Sequence, residues 1–567
     1  MSGGRHVLLS LILATFPWTV MAAQQPIAGG RILGEVVDVA SGGPVSGARV
    51  VIVQFRGSGN QREVVSDEKG AFLLDEVAPG SYLLHAEHTG YITSQLPTGY
   101  ARPVPININV EAGGSYRVSF RLVRTGSISG RVYDVERRPV TNAEVEILFS
   151  QYNGFGLRTL SRLTIAAPGP DGYPSVQTDD RGEYHLSGIP AGEYYIRASY
   201  KVESVRRGGA AVRSNSASAT YYPGVTNPDE AIAIRIAAGD DISAIDFTAA
   251  PLSATKVSGR IINPLPQQPA RPIYDYYLIP RNARVREFTQ VVPNYSEEPD
   301  RFELRSVRPG SYDLYIAYRT GERPDQFKFY SGRVSIEVSD RDVIDLAVPI
   351  EPGIEIRGEI VQDEATRATN RDVRRNYPLF SSFDGMPGVL SPTATLGRSP
   401  FVQSDGSFVI PNAARGRYFL VLGGESTAYI TSARLGTENI LGRPFEVTTD
   451  TTGPLVVEIS AVGGTVQGKV NDKDGAPARG AQVVLVPPFE FREDQTSYKS
   501  TTSDNRGRFN ISGLRPGRYM AYAVAGSTDV RAWMNPEFVL PVQNLGVPVE
   551  VFQGRNTEQD LRLIVRP

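Results

Sequence analysis

The sequence predicts an all-β protein built from five tandem antiparallel β-sandwich modules, with little helix. Two observations predict this class. Three short sequence patterns recur along the chain in the same order, which is the signature of a repeat architecture. Apolar residues also alternate with a period of two beside turn residues, whereas no sustained 3.6-residue apolar period occurs. The 56 glycines and 41 prolines suit many short strands joined by turns.

The first segment of the chain is typical of a secretory leader. A basic residue, Arg5, precedes an apolar run over residues 7–20, which Pro17 interrupts and which ends close to Ala23. A basic start, about 7–15 apolar residues and small residues at the end are the parts of a signal peptide, while a bilayer span needs about 20 apolar residues. We therefore expect residues 1–23 to be a signal peptide, although a buried N-terminal strand would also be apolar. The mature protein is then exported, with no transmembrane segment after cleavage, and is periplasmic, cell-surface associated or secreted.

The first repeated pattern is apolar–x–Gly–x–apolar, and it opens each module. In a strand these three residues share one face, and glycine suits a position where a neighbouring strand packs closely. The five copies are Ile32, Gly34 and Val36; Ile128, Gly130 and Val132; Val257, Gly259 and Ile261; Ile356, Gly358 and Ile360; and Val466, Gly468 and Val470.

Two turn patterns follow in each module. An Asp–Gly turn occurs at residues 66–70, 178–182, 404–406 and 503–507, and the third module has Pro299-Asp300-Arg301 without the glycine. Because Asp bonds its own backbone and Gly adopts positive φ, we expect each of these to be a hairpin turn that connects two antiparallel strands. A second turn then opens an aromatic strand at tyrosines spaced 101 to 118 residues apart, which are Tyr82, Tyr194, Tyr312, Tyr418 and Tyr519.

These repeats define the predicted domains. The β-sandwich modules are residues 27–124, 125–252, 253–350, 351–461 and 462–567, which we call modules 1 to 5. Module 2 contains long insertions, and modules 3 and 4 have diverged from the pattern. The last strand of each module runs within a few residues into the first strand of the next, so the linkers are short and the array is expected to be semi-rigid.

Together these motifs resemble the carboxypeptidase regulatory-like domain. The likeness rests on Gly-x-Val, Pro-x-x-x-Ala (Pro44 and Ala48 in module 1), the Asp–Gly turn, the Pro-Gly-x-Tyr turn and a closing Gly90-Tyr91. It covers nearly the whole mature chain and is strongest in modules 1, 2 and 5. The resemblance implies a transthyretin-like sandwich, often grouped with carbohydrate-binding-like folds, of exported bacterial type. It implies little about activity, because this module accompanies many functions.

The residue types exclude most catalytic and metal chemistry. There is no cysteine, so thiol nucleophiles, disulfides and Cys-based metal sites are absent. His85 and His88 are expected on opposite faces of one strand, and His185 lies in another module. The loop at residues 471–475 is too short for an EF-hand, so its carboxylates are expected to serve a turn. We therefore predict no catalytic residue, no metal site and no cofactor.

Aromatic residues in irregular segments are the candidate ligand-binding residues: Tyr152, Phe155, Tyr221, Tyr222 and Trp533. Flat rings suit the apolar faces of sugars, and aromatic anchors also serve protein interfaces. The alternative is that these rings pack on the open ends of their own sandwiches.

The sequence thus favours a non-enzymatic exported binding or adhesion scaffold of the cell envelope, whose partner is a glycan or an envelope protein. A structural spacer or assembly partner without a small ligand is the alternative, and a carboxylate-only hydrolase is a third reading. A net charge of −2 gives no reason to expect a nucleic-acid partner.

Overall fold

The computed structural model describes residues 29–55, 61–93, 100–101, 105–153, 156–165, 175–201, 217–250, 255–262, 274–281, 289–291, 294–295, 298, 300–305, 307–320, 328–369, 372–382, 402–424, 428–451, 453–526 and 529–565. The predicted fold class is confirmed, because these residues form β-sandwich modules of mainly antiparallel strands with little helix. The chain divides into two compact units. The first contains residues up to 95 and residues 103–124, and the second contains residues 96–102 and 125–567.

Module 1 is a sandwich of two four-stranded sheets with the orders β4-β1-β9-β6 and β3-β2-β5-β8. The short strand β7 of this stretch pairs with a strand of module 2 and belongs to the second unit. The strands are β1 (Gly30–Asp38), β2 (Arg49–Gln54), β3 (Gln61–Val65), β4 (Ala71–Val77), β5 (Gly80–Glu87), β6 (Tyr91–Thr93), β7 (Tyr100–Ala101), β8 (Ile106–Val110) and β9 (Ser115–Arg124).

Module 2 repeats this arrangement. Its strands are β10 (Gly126–Tyr133), β11 (Glu144–Tyr152), β12 (Arg158–Arg162), β13 (Thr164–Ile165), β14 (Ser175–Gln177), β15 (Glu183–Ile189), β16 (Gly192–Lys201), β17 (Ala217–Tyr221), β18 (Ile234–Ile236), β19 (Asp241–Ile242) and β20 (Phe247–Thr248). One sheet has β10 between β15 and the short strands β19 and β20, and the other has β11 and β16 at its centre. A single 3-10 turn is described here, at Pro228–Glu230.

Module 3 has the sheets β24-β25-β21-β28 and β23-β22-β26-β27-β29. Its strands are β21 (Val257–Ile262), β22 (Tyr274–Pro280), β23 (Thr289–Val291), β24 (Asn294–Tyr295), β25 (Arg301–Leu304), β26 (Gly310–Thr320), β27 (Lys328–Val338) and β28 (Val343–Pro349), and β29 (Glu351–Pro352), at the start of module 4, pairs with β27.

Module 4 has the sheets β32-β30-β37-β34-β35 and β31-β33-β36. Its elements are β30 (Ile354–Gln362), helix α1 (Glu364–Thr369), a 3-10 turn (Val373–Arg375), β31 (Asn376–Ser382), β32 (Ser407–Ala413), β33 (Gly416–Gly424), β34 (Tyr429–Leu435), β35 (Glu438–Asn439), β36 (Phe445–Val447) and β37 (Leu455–Ser460).

In module 5 the last strand pairs with both layers, so that the sheets join into one eight-stranded set. Its strands are β38 (Gly464–Asn471), β39 (Gln482–Val486), β40 (Lys499–Thr502), β41 (Arg508–Leu514), β42 (Gly517–Val524), β43 (Val547–Val551), β44 (Asn556–Glu558) and β45 (Leu561–Ile564). The helical segments are 3-10 turns at Phe489–Phe491, Gln495–Ser497, Val530–Met534 and Leu540–Leu545, and helix α2 at Pro536–Val539.

The repeated glycine lies where the first and last strands of each module run side by side. These two strands are parallel in every module, for example β1 and β9. A Cβ atom built on the glycine would lie only 1.7 to 2.3 Å from a backbone carbonyl oxygen at the end of the same module. The close packing predicted for this glycine is therefore confirmed in all five copies, which are Gly34, Gly130, Gly259, Gly358 and Gly468.

In modules 1 and 2 the Asp–Gly turn joins strands of different sheets and not two strands of one hairpin, so the hairpin expectation was wrong there. In module 1 the turn links β3 to β4, and these strands belong to different sheets. Asp67 Oδ1 accepts hydrogen bonds from the backbone N–H groups of Lys69 and Ala71, at 2.9 and 2.8 Å. Gly70 has φ of +72°, which L side chains rarely adopt. The turn is tight enough to change sheets within a few residues.

A buried hydroxyl anchors this turn to the Pro-x-x-x-Ala segment. Ser66 Oγ accepts a hydrogen bond from Ala48 N at 2.9 Å and donates one to Val45 O at 2.7 Å. Thr178 makes the same pair of bonds in module 2, and Ser503 makes it in module 5. Two sequence motifs that lie about 20 to 40 residues apart thus form one structural device, because each supplies the partner that the other needs.

Each of modules 1, 3, 4 and 5 has its own cluster of buried apolar side chains between its sheets. Module 2 has an equivalent set of buried residues, including Ile128, Val132 and Ile196 at 0% exposure. The sandwiches therefore bury separate cores. The described helices include none that is long and apolar enough to cross a membrane.

Candidate functional site

The predicted binding residue Trp533 lies in a second apolar layer of module 5. Its ring is 2% exposed and packs 4.8 Å from the ring of Tyr522 and 5.6 Å from that of Phe538, measured between centroids. The short helical segments between 530 and 545 cover the outer face of the β39–β42 sheet in this way. This geometry favours the packing alternative for Trp533, and ligand binding by it stays a prediction.

The other predicted rings lie in module 2. Tyr221 is 3% exposed and packs with Leu148 and Tyr195 on the outer face of the β11–β16 sheet. Tyr222 and Tyr152 are half-buried, and Phe155 lies outside the described residues. The structure does not bring all of these rings to one surface, because Tyr222 neighbours the module 2 core whereas Tyr152 lies at the end of β11.

The histidines do not form a common site in the described part of the chain. His85 is opposite Val51 in the sheet, and burial lowers its pKa, although the charge of Glu87 acts in the other direction. The His88 ring lies edge-on to Tyr91 at 5.2 Å. Among the described residues, no group of three or more His, Asp or Glu side chains is placed to hold a metal ion.

The carboxylates of the Asp turns are engaged by their own backbone. Asp472 Oδ1 accepts from Asp474 N and Ala476 N, each at 2.9 Å, and Asp504 Oδ1 accepts from two backbone N–H groups at 2.8 Å. These bonds, together with Arg508, lower the pKa of Asp504. The Oδ1 atoms of Asp472 and Asp504 thus have their hydrogen-bond partners within their own turns.

An open groove on module 2 is the candidate binding site. It has a volume of about 650 Å³ and lies between β10, β15 and the segment before β20. Its lining is mostly polar or charged: Ser129, Gly130, Arg131, Val176, Gln177, Asp179, Glu183, Tyr184, His185, Ala244 and Asp246.

Two features fix the groove's polar groups. Arg131 and Glu183 form an ion pair across adjacent strands, with about half of each side chain exposed. The backbone N–H of Arg131 donates to Asp246 Oδ1 at 2.8 Å, which holds this carboxylate at the groove wall. The groove thus presents a guanidinium, carboxylates, an amide and an imidazole, which together can donate and accept hydrogen bonds.

Aromatic rings adjoin the groove. Tyr184, which is part of the lining, is buried and donates its hydroxyl to Ile245 O at 2.7 Å. Burial raises the pKa of this phenol, and the charge of Asp246 adds to the effect. The Phe247 ring lies 6.5 Å from Tyr184 and 6.3 Å from Tyr222, so the predicted binding residue Tyr222 is one ring away from the groove wall.

A second feature is a contact between modules 2 and 5, which are not neighbours in sequence. The tip of the β11–β12 hairpin meets the segment 533–538. Asn535 Nδ2 donates to Gly156 O at 2.9 Å, and the rings of Tyr152 and Phe538 lie 5.8 Å apart, edge to face. Two of the predicted binding residues, Tyr152 and Trp533, are therefore joined through Phe538.

A family model matches parts of two modules. Residues 31–123 of module 1 and residues 465–532 of module 5 are similar to the carboxypeptidase regulatory-like domain. The matches fall on two of the three modules in which the sequence motifs are most complete. No curated protein matches the chain.

Solved structures with similar segments include pilins and the Bacillus anthracis TIE protein. The shaft pilin SpaA from Lactobacillus rhamnosus GG is 13% identical over 39% of this chain and 97% of its own, with a TM-score of 0.18. A minor pilin of the Gram-positive pathogen Streptococcus agalactiae is 13% identical over 43% of this chain and 100% of its own, with a TM-score of 0.21. The Bacillus anthracis TIE protein is 14% identical over 57% of this chain and 51% of its own, with a TM-score of 0.15. At TM-scores this low, nothing about the function of these proteins is transferred to this chain.

Sequence reasoning missed the groove and the contact between modules 2 and 5. The groove residues come from three strands and a loop, and their motifs had been interpreted only as fold signals. One signal could have pointed to it: module 2 combines Arg131, Glu183 and His185 around two repeated motifs, whereas module 3 shares only the arginine, as Arg260 after Gly259.

Proposed function

We propose that this chain is a non-enzymatic exported multi-module binding scaffold of the cell envelope, and that it binds a glycan in the groove of module 2. The observation that supports this most directly is the set of hydrogen-bond donors and acceptors along the open groove, such as the half-exposed Arg131 and Glu183. Sugar hydroxyls need such partners. Tyr184 and Phe247 are buried beside the groove, so half-buried Tyr222, which contacts Phe247, is the predicted ring that we assign to the apolar face of the sugar.

The roles of the repeated carboxylates support a scaffold without catalysis. The Asp side chains of the repeated turns accept hydrogen bonds from backbone N–H groups, as Asp67 and Asp504 do. The paired charge of Arg131 and Glu183 is half exposed to solvent, which does not provide the desolvated acid or base that hydrolysis requires. Export is part of the proposal and rests on the leader-like residues 1–23, which lie outside the described residues. The five module boundaries are likewise proposed as folding units.

A glycan array tests the proposal with the chain from residue 24 onward. Retention of one class of glycan is expected, and Arg131→Gln should weaken it about tenfold or more, since one charge-assisted hydrogen bond contributes about 1.5–3 kcal/mol. Arg138→Gln is the matched control, because Arg138 lies in the same module and pairs with Asp134 outside the groove lining. Loss of binding in both variants, or no glycan retained by the parent chain, would rule out the groove.

A structural spacer is the second candidate, and the burial of Trp533 and Tyr221 favours it. Rings that are 2% and 3% exposed stabilise their modules and offer little area to a ligand. An empty glycan array together with an intact β-rich circular dichroism spectrum would favour the spacer over the binding scaffold.

A further inference from the structure

The contact between modules 2 and 5 closes a path of contacts through the second unit. Modules 2 and 3 meet where Arg308 donates to the carbonyl oxygens of Thr226, at 2.9 Å, and Ala219. Modules 3 and 4 meet where Ala414 packs in an apolar cluster with Tyr277 and other residues of module 3. Modules 2 and 3, and modules 3 and 4, therefore touch through at least one buried or half-buried group.

The junction of modules 4 and 5 is centred on a half-buried cation, Arg515. The Arg515 guanidinium lies 4.1 Å from the centre of the Phe491 ring and 5.5 Å from that of Tyr429. A Cβ on Gly442 would lie 2.8 Å from the Phe491 ring, so the two modules pack closely here. With this junction in place, module 5 returns to module 2 through Asn535 and Gly156.

The returning contact is small and separate from the cores. It consists of the Asn535 to Gly156 hydrogen bond, the Tyr152 and Phe538 ring pair, and van der Waals packing of Met534 on Gly156. Trp533 stays covered by Tyr522 of its own module, and among the described residues the apolar clusters of module 5 and the cluster around Tyr221 in module 2 share no member. Separating the two surfaces would therefore leave the described cores of both modules intact.

Asn535 performs two tasks with its two side-chain atoms. Its Oδ1 caps helix α2 by accepting from Glu537 N at 2.9 Å and Phe538 N at 3.2 Å, which directs Nδ2 toward Gly156 O. On the other side, Asn153 Oδ1 accepts from Leu157 N at 3.0 Å and shapes the hairpin tip. Both surfaces are thus organised by bonds within their own module before they meet.

We propose that the described residues of the module 2 hairpin tip (Tyr152, Asn153 and residues 156–158) and the segment 533–538 of module 5 form a releasable latch between these modules. Closed, it holds modules 2 to 5 as one unit. Open, it separates modules 2 and 5 while each module stays folded, and it uncovers the apolar side chains of Met534 and Phe538.

A disulfide tests whether the latch closes within one chain. A Cβ at position 156 would lie 2.5 Å from Met534 Cβ, and a shift of about 1–2 Å brings this pair to the usual disulfide separation. The chain has no cysteine, so Gly156→Cys with Met534→Cys supplies the only thiols. Mild oxidation of the dilute protein should give a monomeric disulfide, with Met534→Cys alone as control. Gly156 has φ of +67°, so Gly156→Cys alone is a second control for the strain of a side chain at this position. Bonds mainly between chains would overturn the proposal.

Asn535→Asp tests the release. Aspartate keeps the oxygen that caps α2 but removes the donor to Gly156 O, so only the latch should weaken. Trypsin cleavage at Arg158, beside the hairpin tip, should accelerate about tenfold, which is the factor that one hydrogen bond supplies. The radius of gyration from X-ray scattering should rise, while the melting temperature changes little.

Asn227→Asp is the matched control, because Asn227 also caps a short helix, through Asp229 N, but its amide donates within its own module to Glu230. It should leave the cleavage rate and the radius of gyration at the parent values. Unchanged cleavage in Asn535→Asp, or equal acceleration in both variants, would overturn the latch. These tests use no glycan, so their outcome is independent of the proposed function.

Discussion

Removing the buried hydroxyl of Ser66 should destabilise the first unit strongly. Ser66→Ala leaves the N–H of Ala48 and the carbonyl of Val45 without the partner they have now, at 2.9 and 2.7 Å. Ala48 is fully buried and Ser66 is 4% exposed. Each unpaired buried group costs about 1–3 kcal/mol, so we expect a loss of about 2–4 kcal/mol after local relaxation. For a domain of about 100 residues, that lowers the melting temperature by roughly 10 °C or more.

Calorimetry of the full chain measures this loss, and native-state hydrogen exchange at the Ala48 amide assigns it to the first unit. Ser66→Thr should restore most of the stability, because Thr178 makes the equivalent bonds in module 2. Ser81→Ala is the matched control, since this exposed hydroxyl bonds only Asn109 and should matter by less than about 0.5 kcal/mol. If Ser66→Ala were as stable as Ser81→Ala, the hydroxyl bridge would not hold the turn to the sheet.

Three further outcomes are expected. Gly34→Ala places a Cβ 1.7 Å from Val118 O and should cost about 3 kcal/mol or more in urea unfolding of the first unit, whereas Gly43→Ala, which meets only one side-chain oxygen at 3.3 Å, should be nearly neutral. Trp533→Ala should cost module 5 about 3–5 kcal/mol, and unchanged stability would mean that the ring does not pack as described. Burial raises the pKa of Tyr194 from 10.0 to about 12, so its contribution to stability is full below pH 10 and is lost as the pH rises through 12. Tyr194→Phe should therefore lose less free energy of unfolding between pH 10 and pH 12 than the parent protein does. If the two proteins showed the same pH dependence of unfolding, the prediction would be contradicted.

The sequence predicted what local chemistry and repetition encode. Gly34 and its four equivalents mark a close approach, and the alternation around them marks strands, because both depend on residues within one element or its copy. The Asp turn was recognised as a turn but was assigned to a hairpin. Tight turns of the same composition can lead to the same sheet or to the opposite one, and the difference lies in the anchor that Ser66 forms with a segment about 20 residues earlier.

The groove and the latch depend on tertiary placement that no local pattern contains. Arg131 and Glu183 meet because β10 and β15 pair in one register, and Asp246 joins them from a loop more than 60 residues later. Gly156 and Asn535 are 379 residues apart. A single sequence offers no periodicity that links such positions, so only the aromatic character of the two segments was visible.

The parallel pairing of first and last strands determines how a module responds to mechanical load. The chain enters module 1 along β1 and leaves it along β9, and eight residue pairs join these strands, from Arg31 and Ser115 to Asp38 and Leu122. A pull on the two ends draws the strands past each other, so their hydrogen bonds resist in shear together and do not open one after another. In module 2 the same ladder is split between β19 and β20, with two residue pairs on each. Under tension, module 2, whose last strand is divided into β19 and β20, should therefore unfold at a lower force than module 1.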